Sequence, residues 1–291
     1  MTPFDGPVFV TGGTGNVGRE VVRALVAVGA PVRMAVHRSA WVTPPSGVTA
    51  VELDFRRPAT FAPALKGVRR LFLMRPNPVL AVKSTLNRLL DAAAEAGVEF
   101  CAFLSVAGAD RNRFVPHHAV EQHLRDSRIQ WTMLRPAFFA QNLSGPYRKD
   151  IIDGTIFLPA GSGRVTYVDA YDIGDVAARV LLDPKEHVGQ AYHLTGKDSL
   201  TFHELAALLT EELARPVTYH PASLVEYWRH CNRRGYGLVE SLAYTGIHAS
   251  LRGGSGAATD LTLGNLLQRS PRTVRQFIAE HRAVWTQASP S

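Results

Sequence analysis

The chain has 291 residues, 46% of them apolar, and a formal charge of +7. That is enough apolar material for a sizeable core, yet no apolar run approaches the roughly 18 residues a membrane crossing needs. Its basic residues are scattered rather than blocked or interleaved with aromatics, and the opening MTPFDG lacks the basic and apolar regions of a secretory signal, so a cytoplasmic protein with no nucleic-acid or membrane partner is expected.

In chain order, PVFVTG (7–12) reads as a short buried strand, and Val17, Val21, Val22, Leu25 and Val28 then recur at helical spacing up to Gly29, a C-cap. VRMAVHR, VTAVELD, RRLFLMR, EFCAFLSV and WTMLRP read as further strands. PATFAPALKG, VLAVKSTLNRLLDAAAEAG and HHAVEQHLRD read as the helices between them. Such alternation requires crossovers, and so predicts an α/β fold with a doubly wound, mostly parallel sheet. Cys101 falls inside a strand as a buried thiol. Neither it nor Cys231 has metal-ligand spacing, and no metal is expected. After Pro136, FFAQNLSGPYRKDIIDGTIFLPAGSGR leaves the sheet to form one wall of a cleft, and YDIGDVAARVLLD and QAYHLTG return to it. From about residue 198 the pattern is mainly helical, in TFHELAALLTEELARP, SLVEYWRHCNRR and PRTVRQFIAEHRAVW.

Between the first strand and helix, Gly13, Gly15 and Gly18 satisfy G-x-G-x-x-G, and Gly12, Gly15 and Gly18 satisfy G-x-x-G-x-x-G. In a β-α-β setting such glycines allow a tight turn, close approach to a pyrophosphate, and close packing of helix on strand. Gly12, Gly13, Thr14, Gly15, Asn16, Val17 and Gly18 are therefore the expected phosphate cradle. The expected organisation is a Rossmann domain over 1–140 and 165–196, with a substrate-binding lobe over 141–164 and 197–291. An NAD site places an acid at the end of the second strand; this chain has His37 and Arg38 there, with no carboxylate nearby to repel a phosphate. Arg38 can pair with a 2′-phosphate, and NADP(H) is the expected cofactor. The alternative is a merely solvated arginine. Asp54 and Phe55 are placed to meet the adenine, and Arg75 lies near the ribose and nicotinamide path.

TGGTGNVGREVVRALV, VELDF, FLSVAGAD, HHAVEQHLRDSRIQWTMLRPAFFAQNL, VTYVDAYDIGDVAARVLLDP and AYHLTG together resemble the NmrA-like group of atypical short-chain dehydrogenases/reductases. The resemblance covers almost the whole chain. It implies either an NADPH-dependent quinone or ketone reductase or an NADP-sensing regulator without turnover. Typical members of the superfamily use Ser with Tyr-x-x-x-Lys. Here Ser105 matches the Ser, but the Lys position falls on His117 and the Tyr position on Arg113. His117 is then expected to hold the nicotinamide ribose, and His117 or His118 to act as general acid, since imidazole titrates near neutral pH. Arg113 is a possible electrostatic aid, and the alternative for the histidines is a solvated helix start. Phe138, Phe139, Asn142 and Tyr147 align with residues that border the substrate in related proteins. They suit a small lipophilic aromatic ligand such as a polyketide quinone, enone or aromatic ketone. A cofactor-retaining epimerase or isomerase is the third reading.

Overall fold

The computed structural model describes residues 6–37, 43–76, 81–254 and 256–286. The chain divides into two compact units, one comprising Met1–Pro136 and Ala170–Leu194, the other Ala137–Asp169 and Thr195–Ser291.

The first unit runs β1 (Val8–Val10), α1 (Asn16–Ala27), β2 (Val32–Val36), β3 (Val48–Glu52), α2 (Phe61–Leu65), β4 (Arg70–Met74), α3 (Leu86–Glu95), β5 (Phe100–Leu104), α4 (Pro116–Asp126) and β6 (Gln130–Pro136). The chain then passes through β7 (Phe138–Phe139), α5 (Arg148–Ile152), β8 (Thr155–Leu158) and β9 (Arg164–Val168) of the second unit. It returns with α6 (Ala170–Leu182) and β10 (Gln190–Leu194). The rest of the second unit is β11 (Ser199–Thr201), α7 (Phe202–Leu213), β12 (Thr218–Pro221), α8 (Leu224–Arg233), α9 (Leu238–Ser250), α10 (Thr262–Leu267), α11 (Val274–Glu280) and α12 (Ala283–Thr286).

The seven apolar strand runs of the sequence pair into one sheet, in the order β10-β6-β5-β4-β1-β2-β3 with every pair parallel. Central parallel strands are buried on both faces, which is why β1, β4 and β5 read as apolar runs, whereas the edge strands β3 and β10 keep exposed polar residues. Phe9, Leu71, Leu73, Cys101 and Phe103 meet Leu86, Leu90, Val120 and Leu124 in a buried cluster. Desolvation there pushes the Cys101 thiol upward, so it is an inert apolar filler. The chain order reverses where β1 lies between β2 and β4, the position at which ligands meet the carboxyl ends of strands in open α/β sheets.

Several local expectations change. The helix read over VLAVKSTLNRLLDAAAEAG begins at Leu86, after a short 3-10 turn at Val82–Ser84; its first two residues lie outside the described ones. PRTVRQFIAEHRAVW is two helices, α11 and α12, separated at His281 and Arg282. The region beyond residue 198 contains strands as well: β12 pairs in parallel with β8, and β11 joins a three-stranded sheet with β9 and β7.

Candidate active site

The glycine turn is held against β4 by Thr11. Its buried hydroxyl donates to the Phe72 carbonyl at 3.1 Å and accepts from the Met74 N–H at 2.9 Å. The glycines are small for different reasons. Gly12 has φ of +65°, a conformation that favours glycine, and a Cβ on Gly13 would stand 2.3 Å from Met34. A Cβ on Gly18 would stand 2.1 Å from the Gly12 carbonyl oxygen, so helix and turn can touch only through a glycine. Gly15 differs. Its φ is −85°, and a Cβ there would meet only the Gly12 carbonyl oxygen, at 3.3 Å. Protein packing thus constrains position 15 far less than position 18, since the Gly12 oxygen would have to give by only a few tenths of an ångström. The turn adjoins the N-terminus of α1, which has no side-chain cap and no acidic residue in its first turn. Partly positive N–H groups at such a turn fit a pyrophosphate. Thr14 and Asn16 are exposed there, and Val17 is buried.

At the ends of β2 and β3, His37 is exposed, and its Nδ1 lies 3.9 Å from Asp54 Oδ2. The expectation of no carboxylate near this strand end is thus corrected, because the fold brings Asp54 in from the next strand. That charge is offset locally. Asp54 accepts from the Arg56 N–H at 2.9 Å and from Arg57 Nε at 3.1 Å, and Arg57 also pairs with Glu52. These hydrogen bonds and the nearby His37 hold the Asp54 carboxyl below its usual range. Phe55 is half-buried against the core, and Arg38 lies outside the described residues.

Ser105, just past β5, is buried and donates its hydroxyl to Glu121 Oε1 at 2.6 Å. Glu121, fully buried on α4, also takes a bidentate pair from Arg135 of β6: Nε to Oε1 at 2.9 Å and Nη2 to Oε2 at 2.6 Å. Asp110 completes the group, 3.5 Å from Arg135 Nη1. The Ser105 proton is therefore committed within the protein and is not free for a substrate oxygen. Glu121 and Arg135 escaped notice in the sequence as functional groups. The available signal was a carboxylate on the apolar stripe of a helix and a guanidinium inside an apolar strand.

One turn before Glu121, His117 is buried at 8% exposure, its ring 6.1 Å from that of Phe103. Arg75 Nε, beyond the end of β4, points at His117 Nε2 from 3.5 Å. His117 Nδ1 is buried with no hydrogen-bond partner among the described residues. Burial, reinforced by the Arg75 charge, pushes the imidazole down to about 4. This corrects the expectation of a general acid titrating near neutral pH: the ring is neutral at pH 7 and can offer a hydrogen bond but not a labile charge. His118 is half-buried, with Nδ1 2.7 Å from the Ala109 carbonyl oxygen. Arg113 is exposed in a turn, because the helix starts only at Pro116; the spacing that would stack positions 113 and 117 on one helical face is absent.

The residues read as bordering a substrate all belong to the second unit. Tyr147 is 5% exposed, and its hydroxyl donates to His248 Nε2, whose Nδ1–H in turn donates to the Tyr244 carbonyl at 2.7 Å. Its ring stacks on Phe138 at 6.2 Å. Tyr147 is thus a satisfied core residue, contrary to the expected substrate contact, and the supposed loop at Asn142 is a 3-10 turn spanning Ala140–Asn142. Phe138, Phe139 and Asn142 are half-buried and retain accessible surface.

The NmrA-like family model matches residues 5–245. The chain belongs to the NmrA-like family. This NmrA-like protein is 32% identical, over 289 residues, to an NAD(P)H azoreductase of Xenophilus azovorans, covering 96% of this chain and 99% of the relative. Its fold matches the crystal structure of an NADPH-dependent quinone oxidoreductase from Escherichia coli complexed with NADPH, at TM-score 0.84 and 25% identity over 94% of this chain and 99% of that one. It also matches a Citrobacter triphenylmethane reductase complexed with NADP(H), at TM-score 0.82 and 26% identity with the same coverage. The parallel sheet and its glycine turn are those of a doubly wound Rossmann fold.

Proposed function

We propose that this NmrA-like protein is an NADPH-dependent reductase whose acceptor is a flat lipophilic aromatic compound: a quinone, an azo or triphenylmethane dye, an aromatic ketone or an enone. The observation that carries this reading is the glycine turn at the start of α1, which has neither a side-chain cap nor an acidic residue in its first turn. Relatives named as an azoreductase, a quinone oxidoreductase and a triphenylmethane reductase support it.

In this reading the turn from Gly12 to Gly18 holds the pyrophosphate, Arg38 with His37 takes the 2′-phosphate, and Asp54 and Phe55 border the adenine. When bound, NADPH supplies a hydride to the acceptor. The residues around it orient and polarise. His117 offers its N–H to an oxygen of the bound reactants, as a neutral donor that needs no charge to polarise it. Ser105 acts indirectly, tying β5 to Glu121 and so fixing the helix that carries His117. Orientation of bound reactants can contribute about 7–11 kcal/mol to a barrier, more than a single acid–base residue provides, so the missing Tyr is compatible with turnover.

The committed Ser105 proton and the exposed Arg113 favour one second reading, an NADP(H)-sensing regulator. NADPH titration followed by NADPH oxidation assays with quinones, azo dyes, triphenylmethane dyes and aromatic ketones separates the two. Acceptor-dependent oxidation is the expected result. Tight NADPH binding with no oxidation across the panel transfers the assignment to the regulator, and absence of NADPH binding removes both readings.

A further inference from the structure

We propose that Arg75 is a positioning residue for His117: its Nε–H, directed at His117 Nε2, fixes the ring tautomer with the proton on Nδ1, the donor offered to an oxygen of the bound reactants. The acceptor's identity rests on the reductase reading; the tautomer is a property of the free protein.

Arginine nitrogens only donate, so the imidazole nitrogen that faces one must accept. With Nε2 as acceptor, the proton of the neutral ring sits on Nδ1. That atom is buried and has no partner among the described residues. A buried donor left unpaired costs about 1–3 kcal/mol, and native proteins keep few of them without a use.

Among the described residues, the charged groups around the ring favour this arrangement. Arg75 approaches from the end of β4 and Glu121 stands one turn further along α4, while β5 contributes the apolar ring of Phe103. The Glu121 carboxylate already receives Ser105 and Arg135. His118 Nδ1 is engaged with the Ala109 carbonyl and cannot substitute as the free donor. Ring burial and the Arg75 charge hold His117 neutral down to about pH 4, so a single tautomer is presented across the working range.

Nitrogen-15 NMR of histidine-labelled protein reads the tautomer directly, without turnover. Free wild-type protein is expected to show His117 in the Nδ1–H form. In Arg75→Met the ring should shift toward the Nε2–H form and titrate closer to the ordinary value of about 6.5; Arg75→Lys, which restores a charged donor, should recover the wild-type signature. Adding NADPH, or NADP+ with a non-reducible quinone analogue, should move the Nδ1 resonance in wild type, and the ligand that moves it identifies the acceptor oxygen. An Nε2–H ring in the wild type, a tautomer unchanged in folded Arg75→Met, or an Nδ1 resonance unmoved by every ligand the protein binds overturns the proposal. Should Arg75→Met not fold, Arg75→Leu serves in its place, and the wild-type spectrum alone remains decisive. A protein with the Nδ1–H signature and its NADPH response, but no acceptor reduction, would leave this inference standing and the reductase reading refuted.

Discussion

Gly15 and Gly18 stand three residues apart in one turn, and substitution should separate their purposes. A Cβ at 15 would stand 3.3 Å from the Gly12 carbonyl oxygen, whereas one at 18 collides with it at 2.1 Å. Gly15→Val is therefore expected to lower the melting temperature less than Gly18→Ala while losing NADPH binding in calorimetric titration. Arg38→Ala should weaken NADPH by roughly tenfold to hundredfold, the worth of a charge-assisted contact of about 1.5–3 kcal/mol, with NADH unchanged. Equal affinity of the wild type for both cofactors would refute the 2′-phosphate reading. The glycines were legible in the sequence because their constraint is local to one turn. The state of His117 was not: it depends on burial and on Arg75, 42 positions away just past the end of β4. The same holds for Ser105, whose proton goes to a carboxylate 16 positions on, and for Tyr147, whose partner His248 lies 101 positions away.

Among the elements, α4 is tied to β5 and β6 by the group of Ser105, Glu121 and Arg135. Both charges are almost completely buried, at 0% and 5% side-chain exposure, so neither can turn to water if its partner is removed. Glu121→Gln should cost about 3–5 kcal/mol in urea unfolding, because it removes the bidentate partner of a buried guanidinium and leaves only the longer Asp110 contact. The double variant Glu121→Leu, Arg135→Met should recover much of that loss, since a packed apolar pair carries no desolvation penalty; a double variant no better than the single would show that the charges do more than satisfy each other. The central strands of the large sheet could be read from sequence because burial on both faces leaves apolar runs such as VFV and FCAFL. β8 and β12 could not. Each is four residues long, and TYHP has two exposed members besides its proline, so pairing with a distant partner, rather than local pattern, makes it a strand. The break between α11 and α12 falls where the His281 ring turns back to stack on Phe277 at 4.2 Å, a contact no periodicity announces.

For the molecule as a whole, acid should be destabilising over a defined window. His117 and His248 are buried and neutral, each pushed down to about 4, while in the unfolded chain they titrate near 6.5. Between those values the unfolded state binds protons that the folded state does not, so stability falls as pH drops from about 6.5 toward 4 and is fully present above that window. Over the window each residue contributes about 3 kcal/mol to the decline. Unfolding free energies measured from pH 7.5 down to 4.5 should show the decline, and His117→Gln and His248→Gln should each flatten it; a profile equally steep in both variants would exclude these two histidines as its source.

The sequence discontinuity of the first unit bears on how a ribosome delivers it. α1 is packed mainly against α6, through Arg23, which bonds Asp175 at 2.6 Å and lies over the Tyr171 ring at 3.7 Å, and through Gly174, where a Cβ would stand 2.6 Å from the Glu20 backbone. The sheet likewise lacks its edge strand β10 until residue 194. At about 5–20 residues per second, the nascent chain waits on the order of ten seconds between making α1 and making the helix that covers it. Throughout that interval Val21, Val22 and Leu25 belong to a half-built layer. The unit that holds the large sheet is thus left open until α6 and β10 emerge, and a chaperone that shields apolar helices should find it during synthesis rather than after release.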